Sequence, residues 1–268
     1  MEIKAIKTPI IKPGDDVIRV LLDSMKTHDM ALHPGDIIVA GEKVVAIAQG
    51  RIVDLETIAD EDVTEQARRI GGKYHIDPRK VKVIMDESEE ILGGVDTVLL
   101  TKSYGLLLAN AGIDSSNAGK STNVILFPSN LWGTARQLRH ALERASGVQP
   151  LGFMIIDSRV QPLKVGVIGG ALAVSGFQPV EDIRGQKDIF GRVLLIKQIA
   201  VADDLSSAAE IMMREAAEQT PFVLIHDAPV TMVPDDQVKE DAMIMPMDEC
   251  LFMNVFKNYT KDKILLPK

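Results

Sequence analysis

Strand-like and helix-like segments alternate along the whole chain, and neither an internal repeat nor a low-complexity linker interrupts them. A chain of 268 residues with 46% hydrophobic residues is long enough to bury a full core. Because nothing in the sequence resembles a linker, we expect one compact two-lobed unit rather than a string of separate domains.

Charge and cysteine content exclude several classes of protein. The 30 basic and 38 acidic residues give a net charge of −8 with no basic stripe, so no nucleic-acid partner is expected. The single cysteine, Cys250, excludes a disulfide framework and a Cys-rich zinc site. The weakly polar stretch at residues 165–177 is shorter than the roughly 20 residues of a membrane span, and the amino-terminal residues lack a signal-like apolar core. We therefore expect a cytoplasmic protein that does not contact membranes.

Several segments have the capping residues and apolar spacing of amphipathic helices. These signals predict helices that begin near Asp16, Asp77, Ser129 and Asp203. The second is expected to end at Gly93-Gly94 and the third at Gly147, with the arginines of the third on its solvated face: Arg136, Arg139 and Arg144. Buried strands are predicted at residues 37–40 and 44–47, on either side of Gly41-Glu42-Lys43, and at residues 222–225.

Two apolar runs lead into clusters of small polar residues. Leu106–Leu108 precedes Ala109–Asn117, which holds a carboxylate, two hydroxyls and two carboxamides. Phe153–Ile156 precedes Asp157 and Ser158, which we expect at the end of a neighbouring strand. Such side chains suit a site where the backbone approaches a phosphate and oxygens hold a hard cation. Ordinary loops with Asx turns have a similar composition, so composition alone leaves both interpretations open.

A set of motifs follows in a fixed order between Thr8 and Pro229. They are Thr8–Asp16, Gly35-Asp36 with Glu42-Lys43, Asp77–Arg79 with Glu87-Ser88, Ala109–Asn117, Asp157-Ser158, Asp188 with Gly191-Arg192, and Ala200–Asp203. In this order and spacing the chain resembles the family of coenzyme F420-0:L-glutamate ligases, enzymes that add glutamate to a deazaflavin coenzyme. No single motif is specific, but the ordered set is.

The resemblance implies a fold and an assembly. It implies a two-lobed α+β fold particular to the family, with mixed and antiparallel sheets and flanking helices, in a homodimer. Residues 1–230 would form this ligase-like domain from two intertwined lobes. Residues 231–268 would form a C-terminal extension that packs on it.

The resemblance also implies a reaction. A carboxyl group of a deazaflavin-like acceptor would be activated by GTP as an acyl phosphate, and the amine of L-glutamate would then displace phosphate. Two divalent cations, Mn²⁺ or Mg²⁺, and a monovalent ion such as K⁺ would assist. Hard cations of this kind prefer carboxylate and hydroxyl oxygens.

The same resemblance assigns site residues. Asp114 and Asp157 would hold one cation, Ser158 would help to hold the second, and Glu215 is a further candidate carboxylate. The nucleotide would be bound by the backbone of four consecutive residues, Thr8, Pro9, Ile10 and Ile11. Three further residues would contact it: Glu42, Lys43 and Asn117. No separate catalytic residue is implied.

The chain departs from the family pattern at four places. Ile47 stands where the family has a second lysine, Gln161 stands for an arginine, and Val167-Ile168 stand for glutamine and threonine. A Gly-rich phosphate loop is replaced by Arg214–Glu218, and because alanine and glutamate are strong helix formers we expect this segment to continue the preceding helix. A continued helix would close the phosphate site.

Two alternatives to a ligase remain open at this stage. A paralogue of altered or lost activity would keep the fold and bind a metal or ligand without forming amides. A metal-dependent phosphohydrolase would use the same cations with water as the nucleophile. His75 and His140 have no ligand partner at useful spacing, so we expect them to be structural or exposed.

Overall fold

The chain forms two compact units in a computed structural model that describes residues 1–256, with only the backbone of Phe256. The first unit is Met1–Gly50 with Pro128–Met243, and the second is Arg51–Phe127 with the segment that begins at Ile244. The chain therefore passes between the units at residues 50–51, 127–128 and 243–244. The part of the expected C-terminal extension beyond residue 256 lies outside the described residues.

Contrary to the prediction, strands and helices do not alternate throughout, because two helices and two runs of four strands follow one another along the chain. The strands are β1 (Glu2–Ile6), β2 (Ile37–Gly41), β3 (Ile52–Asp54), β4 (Glu90–Val95), β5 (Val98–Ser103), β6 (Leu106–Ala109), β7 (Asn123–Ile125), β8 (Gly152–Val160), β9 (Val167–Ser175), β10 (Glu181–Asp182), β11 (Gln198–Ile199) and β12 (Phe222–His226). The α-helices are α1 (Val17–Thr27), α2 (Glu42–Ala48), α3 (Glu65–Tyr74), α4 (Pro78–Asp86), α5 (Leu131–Ser146), α6 (Val201–Met213) and α7 (Leu251–Phe256). No helix within residues 1–256 is both long and apolar enough to cross a membrane.

The first unit is built on a five-stranded mixed sheet in the order β1-β12-β2-β8-β9. Strands β2 and β8 are parallel, and the other neighbouring pairs are antiparallel. The four apolar residues Ile37–Ala40 of β2 are all 0% exposed. Because successive strand residues point to opposite faces, both faces of the sheet must be covered.

Helix α6 covers one face of this sheet. It contributes Ala202, Leu205, Ala209 and Met213 to a core that also contains Ile37 and Val39 of β2, Met154 and Ile156 of β8, and Val223 and Ile225 of β12. Helices α1 and α5 also pack on the sheet. The alternating residues of β2, β8 and β12 thus form a core with α6.

The second unit has its own core. The antiparallel sheets β3-β7 and β4-β5-β6 pack with α3 and α4. The buried side chains include Val63, Ala67 and Ile70 near or on α3, Val81 and Ile84 on α4, and Ile91, Leu99 and Val124 on the strands. The α+β class, with mixed and antiparallel sheets and flanking helices, is confirmed.

Two element predictions were wrong. Residues 44–47 form part of α2 rather than a second strand, and α2 begins at Glu42 directly after Gly41 ends β2. Helix α4 begins with Asp77 as its N-cap and Pro78 as its first residue, as predicted, but it ends at Asp86. Gly93 and Gly94 lie in β4, because the chain leaves the helix to pair with β5.

The prediction that Arg139 lies on a solvated face of α5 was also wrong. Its side chain is 9% exposed and pairs with Glu143 at 3.2 Å and with Asp235 at 2.9 Å. Helix α5 ends at Gly147 in the left-handed conformation, as predicted, and its N-cap is Asn130, one residue after the expected Ser129. Two carboxylates therefore compensate the charge of this buried arginine.

Candidate functional site

Chain direction brings four segments to one end of the five-stranded sheet. Strand β1 ends there, β12 begins there, and Ile6 is paired with Phe222. Strand β2 also ends there, where Gly41 lies beside Ile156 of the parallel strand β8. The residues that follow β2, and Asp157 after Ile156, therefore belong to the same end of the sheet.

Four carboxylates gather at this end, and we call Glu42, Asp157, Glu210 and Glu215 the carboxylate cluster. Burial, followed by the charge of Asp157, raises the pKa of Glu42 well above its usual value, although Lys43 and two backbone N–H groups lower it. Burial also raises the pKa of Glu210 to about 7, assisted by the charge of Glu215, a hydrogen bond with Glu215 and the charge of Asp157. Both shifts thus have burial as their main cause and the nearby carboxylates as a second one.

Glu210 is the member of the cluster that the sequence did not single out. It lies on α6 within the apolar run Ala208–Met213. Among the residues described, its Oε2 atom is buried and accepts no hydrogen bond. An acidic residue within an otherwise apolar helix segment was the only available signal, and its partner Asp157 is 53 positions away in sequence.

The pKa of Glu210 predicts how stability depends on pH in metal-free protein. The native carboxyl group holds its proton up to about pH 7, whereas the usual value is 4.5. Because the folded state binds more protons than the unfolded state in this interval, stability should fall as pH rises from about 4.5 to about 7. Thermal unfolding in chelator should show this decline, and Glu210→Gln should reduce it. A melting temperature that rises across this interval in the parent chain, and is unaffected by Glu210→Gln, would contradict the prediction.

Lys43 and Ser158 adjoin the cluster. Lys43 is half-buried, follows Glu42 in the first turn of α2, and lowers the pKa of that carboxyl group by its charge. Ser158 is also half-buried, and its backbone N–H donates a hydrogen bond of 2.7 Å to Asp157 Oδ1. The end of the sheet therefore combines several carboxylates with one nearby ammonium group.

The predicted nucleotide-binding segment at residues 8–11 lies beside the loop that follows α6. Thr8 donates its backbone N–H to Gln219 O at 2.9 Å, and Gly41 donates its own to Pro221 O at 2.9 Å. Thr8 and Ile11 are buried, whereas Pro9 and Ile10 are exposed. A pocket of about 350 Å³ reaches Thr8 and Pro9 from the side of α1. Residues 8–11, the start of α2 and the loop after α6 are thus held together by backbone contacts.

The expectation that Arg214–Glu218 continues the helix was wrong. Helix α6 ends at Met213, and Arg214 has φ 64° and ψ −179°. The hydroxyl of Thr220 donates to Met213 O at 2.6 Å, which satisfies a carbonyl of the last turn. These contacts, together with the return of the chain into β12, outweigh the helix propensity of alanine and glutamate. The supposed closure of the site by a continued helix is therefore absent.

Arg214 occupies a backbone conformation that is essentially restricted to glycine, which costs about 1–3 kcal/mol for other residues. Arg214→Gly should therefore stabilise the protein by about 1 kcal/mol after the entropy cost of glycine is subtracted. Urea unfolding measures the change. Ala216→Gly is the matched control, because Ala216 is not among the residues with positive φ, and it should lower stability. Equal effects of the two substitutions would contradict the interpretation.

Asp114 and Asn117, the remaining predicted site residues, belong to the second unit. Asp114 Oδ1 accepts a hydrogen bond of 2.8 Å from the backbone N–H of Ser116, and Asp114 Oδ2 accepts one of 2.6 Å from the Ser116 hydroxyl. Burial lowers the pKa of Lys80, and the charge of Asp114 opposes this change. Asn117 is exposed and has φ 57°. The Asp114 carboxylate is thus oriented by an Asx turn near a half-buried lysine.

The prediction that Asp114 and Asp157 follow neighbouring strands was wrong, because the two strands belong to different sheets and Asp157 lies within its strand. Strand β6, which precedes Asp114, belongs to the three-stranded sheet β4-β5-β6. Strand β8, which contains Asp157 and Ser158, lies between β2 and β9. Both runs are short and apolar, and such runs carry no information about the sheet they join.

Comparison with known proteins identifies similar sequences. A family model described as F420-0:Gamma-glutamyl ligase matches residues 5–227. A coenzyme F420:L-glutamate ligase of Methanocaldococcus jannaschii is 33% identical over 257 residues, which cover 95% of this chain and 97% of that protein. Relatives of the same name from Methanopyrus kandleri and Methanothermobacter thermautotrophicus are 36% and 34% identical, and the alignments cover 80% and 82% of this chain and 81% and 86% of those proteins.

Proposed function

Because the chain belongs to the F420-0:gamma-glutamyl ligase family, we propose that it is a ligase that joins L-glutamate to a deazaflavin-like acid at the expense of GTP. The family match over residues 5–227 confirms the resemblance seen in the ordered motifs. The carboxylate cluster beside Lys43 and residues 8–11 is the observation that supports this activity. It combines, in the first unit, groups suited to a divalent cation with groups suited to a nucleotide.

The cluster fits a hard cation such as Mn²⁺ or Mg²⁺. All of its donors are carboxylate oxygens, and the buried Oε2 of Glu210 accepts no hydrogen bond within the described part of the chain. Such cations bind oxygen ligands, and a bound cation would offset the burial and the carboxylate repulsion that raise the pKa values of Glu42 and Glu210. In this proposal Asp157, Glu210 and Glu215 hold a cation and Ser158 supplies a hydroxyl. Asp114 remains a proposed cation ligand in the second unit.

The reaction we propose has two steps. The acceptor carboxylate attacks the γ-phosphorus of GTP, which releases GDP and gives an acyl phosphate. The amine of L-glutamate then attacks the acyl carbon, phosphate leaves, and the proton of the amine passes to solvent. Bound divalent cations would neutralise and orient the phosphate oxygens.

The chain's own residues position the nucleotide in this scheme. Lys43 neutralises negative charge near the transferring phosphoryl group. The backbone of Thr8–Ile11 contacts the nucleotide, and its position is fixed by the hydrogen bond from Thr8 to Gln219. Asn117 is a further nucleotide contact proposed from the family resemblance. Ile47 lies half-buried in α2 and supplies no charge, so Lys43 acts without the second lysine of the family.

We further propose a homodimer. Residues 187–196 expose several large apolar side chains, among them Ile189, Phe190 and Ile196, each about nine-tenths exposed. Apolar side chains of this kind are often covered by a second subunit. The use of a monovalent ion such as K⁺ remains a proposal that comes from the family resemblance. A cytoplasmic location remains a proposal that comes from the single cysteine.

The decisive experiment incubates the purified chain with the deazaflavin acid, L-glutamate, GTP and Mn²⁺. We expect a product heavier by one glutamyl residue, detected by mass spectrometry, and one phosphate released for each amide formed. Phosphate release without acid and amine would indicate the phosphohydrolase. Cation and nucleotide binding without product would indicate a paralogue of altered specificity, and a panel of other acids would then replace the deazaflavin.

A further inference from the structure

A second group of metal-binding side chains lies at the opposite end of the five-stranded sheet. His226 is the last residue of β12, and Asp36 immediately precedes β2, to which β12 is antiparallel. The turn His33-Pro34-Gly35-Asp36 brings His33 to the same place. Within this turn the backbone N–H of Asp36 donates to His33 O at 3.1 Å, and Gly35 has φ 92°.

The three side chains have the spacing of ligands around one small ion. His33 Nδ1 lies 3.5 Å from His226 Nδ1 and 3.7 Å from Asp36 Oδ2. His226 Nδ1 lies 2.8 Å from Asp36 Oδ1. In a tetrahedral zinc site with bonds of about 2.0–2.1 Å, neighbouring ligand atoms are about 3.3 Å apart. The observed separations lie on both sides of this value, with Asp36 Oδ2 nearer His33 and Oδ1 nearer His226, so small side-chain movements would bring the carboxylate and the two imidazoles around one ion.

Burial and hydrogen bonding hold two of these ligands in place. The side chain of Asp36 is 4% exposed and that of His226 is 13% exposed, whereas that of His33 is 67% exposed. Asp36 Oδ2 also accepts the backbone N–H of His33 at 2.6 Å, which orients the carboxylate. Oriented ligands of this kind are typical of metal sites. The exposed His33 gives an ion a route from solvent and leaves room for water as a fourth ligand.

We propose that His33, Asp36 and His226 bind one divalent transition-metal ion, with Zn²⁺ as the preferred occupant. Two imidazole nitrogens and one carboxylate are a donor set for zinc and its neighbours, whereas Mg²⁺ and Ca²⁺ prefer oxygen ligands alone. The ion joins the turn before β2 to the end of β12. Because it binds the folded chain, it stabilises the first unit.

This site is separate from the carboxylate cluster. The six steps along the chain from Asp36 to Glu42, through the extended strand β2, correspond to about 20 Å at about 3.3 Å per residue. No ligand is shared, and the donor types differ. Loss of one site therefore leaves the other intact, and failure of the ligase proposal would leave this inference unaffected.

A plain ion pair between His226 and Asp36 is the competing explanation, and it requires no metal. His75 and Asp96 supply a comparison within the same chain, because they form such a pair at 2.6 Å. Both of those side chains are about three-quarters exposed, and no second imidazole is grouped with them in the described residues. His75→Gln is therefore a matched control for His33→Gln.

The test uses the full, untagged chain after treatment with chelator, in saturating Mg²⁺ to occupy oxygen sites. Titration with Co²⁺ should give the strong visible absorption of four-coordinate cobalt with a stoichiometry of one, and Zn²⁺ should displace it. His33→Gln and His226→Gln should each weaken Co²⁺ affinity by about 100-fold or more, because loss of even a supporting partner costs 10- to 100-fold. His75→Gln should have no effect.

Zn²⁺ should also raise the melting temperature of the parent chain and of His75→Gln, but not that of His33→Gln. Because His33 is mostly exposed, His33→Gln should fold, which circular dichroism can verify. Absence of saturable Co²⁺ binding in the parent chain would overturn the proposal. Unchanged Co²⁺ affinity in folded His33→Gln would overturn it equally.

Discussion

Asp157→Asn should slow amide formation by at least about 10³-fold at saturating GTP, because a lost cation removes several kcal/mol of charge stabilisation and each 1.36 kcal/mol is a factor of ten. The substitution keeps the shape of the side chain and removes its charge. Because the charge of Asp157 adds to burial in raising the pKa values of both Glu42 and Glu210, metal-free protein should become more stable. Calorimetric titration with Mn²⁺ and thermal unfolding in chelator measure the two effects separately.

Asp204→Asn is the matched control for this substitution. Asp204 is exposed in the first turn of α6 and is outside the carboxylate cluster, so its replacement should leave Mn²⁺ affinity unchanged. Asp114→Asn should also weaken Mn²⁺ binding, which tests the proposed ligand in the second unit. If Asp157→Asn retains the Mn²⁺ affinity of the parent chain, the assignment of the cluster is wrong whatever the acceptor.

Lys43→Ala should weaken the binding of GTP by roughly 10- to 100-fold and leave the binding of guanosine unchanged. Two unit charges about 4 Å apart attract by about 4 kcal/mol at an effective dielectric constant of about 20, and solvent reduces this for a half-buried lysine. The lost attraction acts on the phosphate groups of GTP, which guanosine lacks. Salt should weaken GTP binding more in the parent chain than in the variant.

Lys26→Ala serves as the control for Lys43→Ala, since Lys26 is exposed in the last turn of α1. Lys43→Ala and Lys26→Ala each remove one positive charge, so a general effect of net charge on GTP binding would appear in both variants. Titrations with GTP and guanosine in Mn²⁺ compare them. A similar loss of affinity for guanosine and for GTP in Lys43→Ala would show that the residue supports the fold of the site and does not contact phosphate.

Much of the fold was predictable where local chemistry decides it. Asp16 accepts hydrogen bonds from Ile18 and Arg19 as the N-cap of α1, and Gly147 ends α5 in the left-handed conformation. Residues 44–47 were assigned wrongly because a short apolar run fits a buried strand and a buried helix equally well. Arg139 was misplaced because its partner Asp235 lies 96 positions away.

The candidate site was less predictable than the fold because it depends on long-range contacts. The loop after α6 takes its path from hydrogen bonds to Thr8 and Gly41, and these contacts outweigh the local propensity of Arg214–Glu218. Glu210 gains its raised pKa from burial and from Glu215 and Asp157. Family resemblance singled out Asp157 and Lys43 as candidates, whereas the interaction of Asp157 with Glu210 required three-dimensional structure.

The order of strands in the five-stranded sheet has a consequence during synthesis on the ribosome. The amino-terminal strand β1 has β12 as its neighbour, and β12 also separates β1 from β2. Strand β1 therefore leaves the ribosome before the other strands of this sheet but must wait for residues 222–226 before it can pair. Such distant pairing slows folding and exposes an unpaired strand to aggregation. A nascent chain that stops before Phe222 would contain every carboxylate of the cluster but not the completed sheet that brings them together.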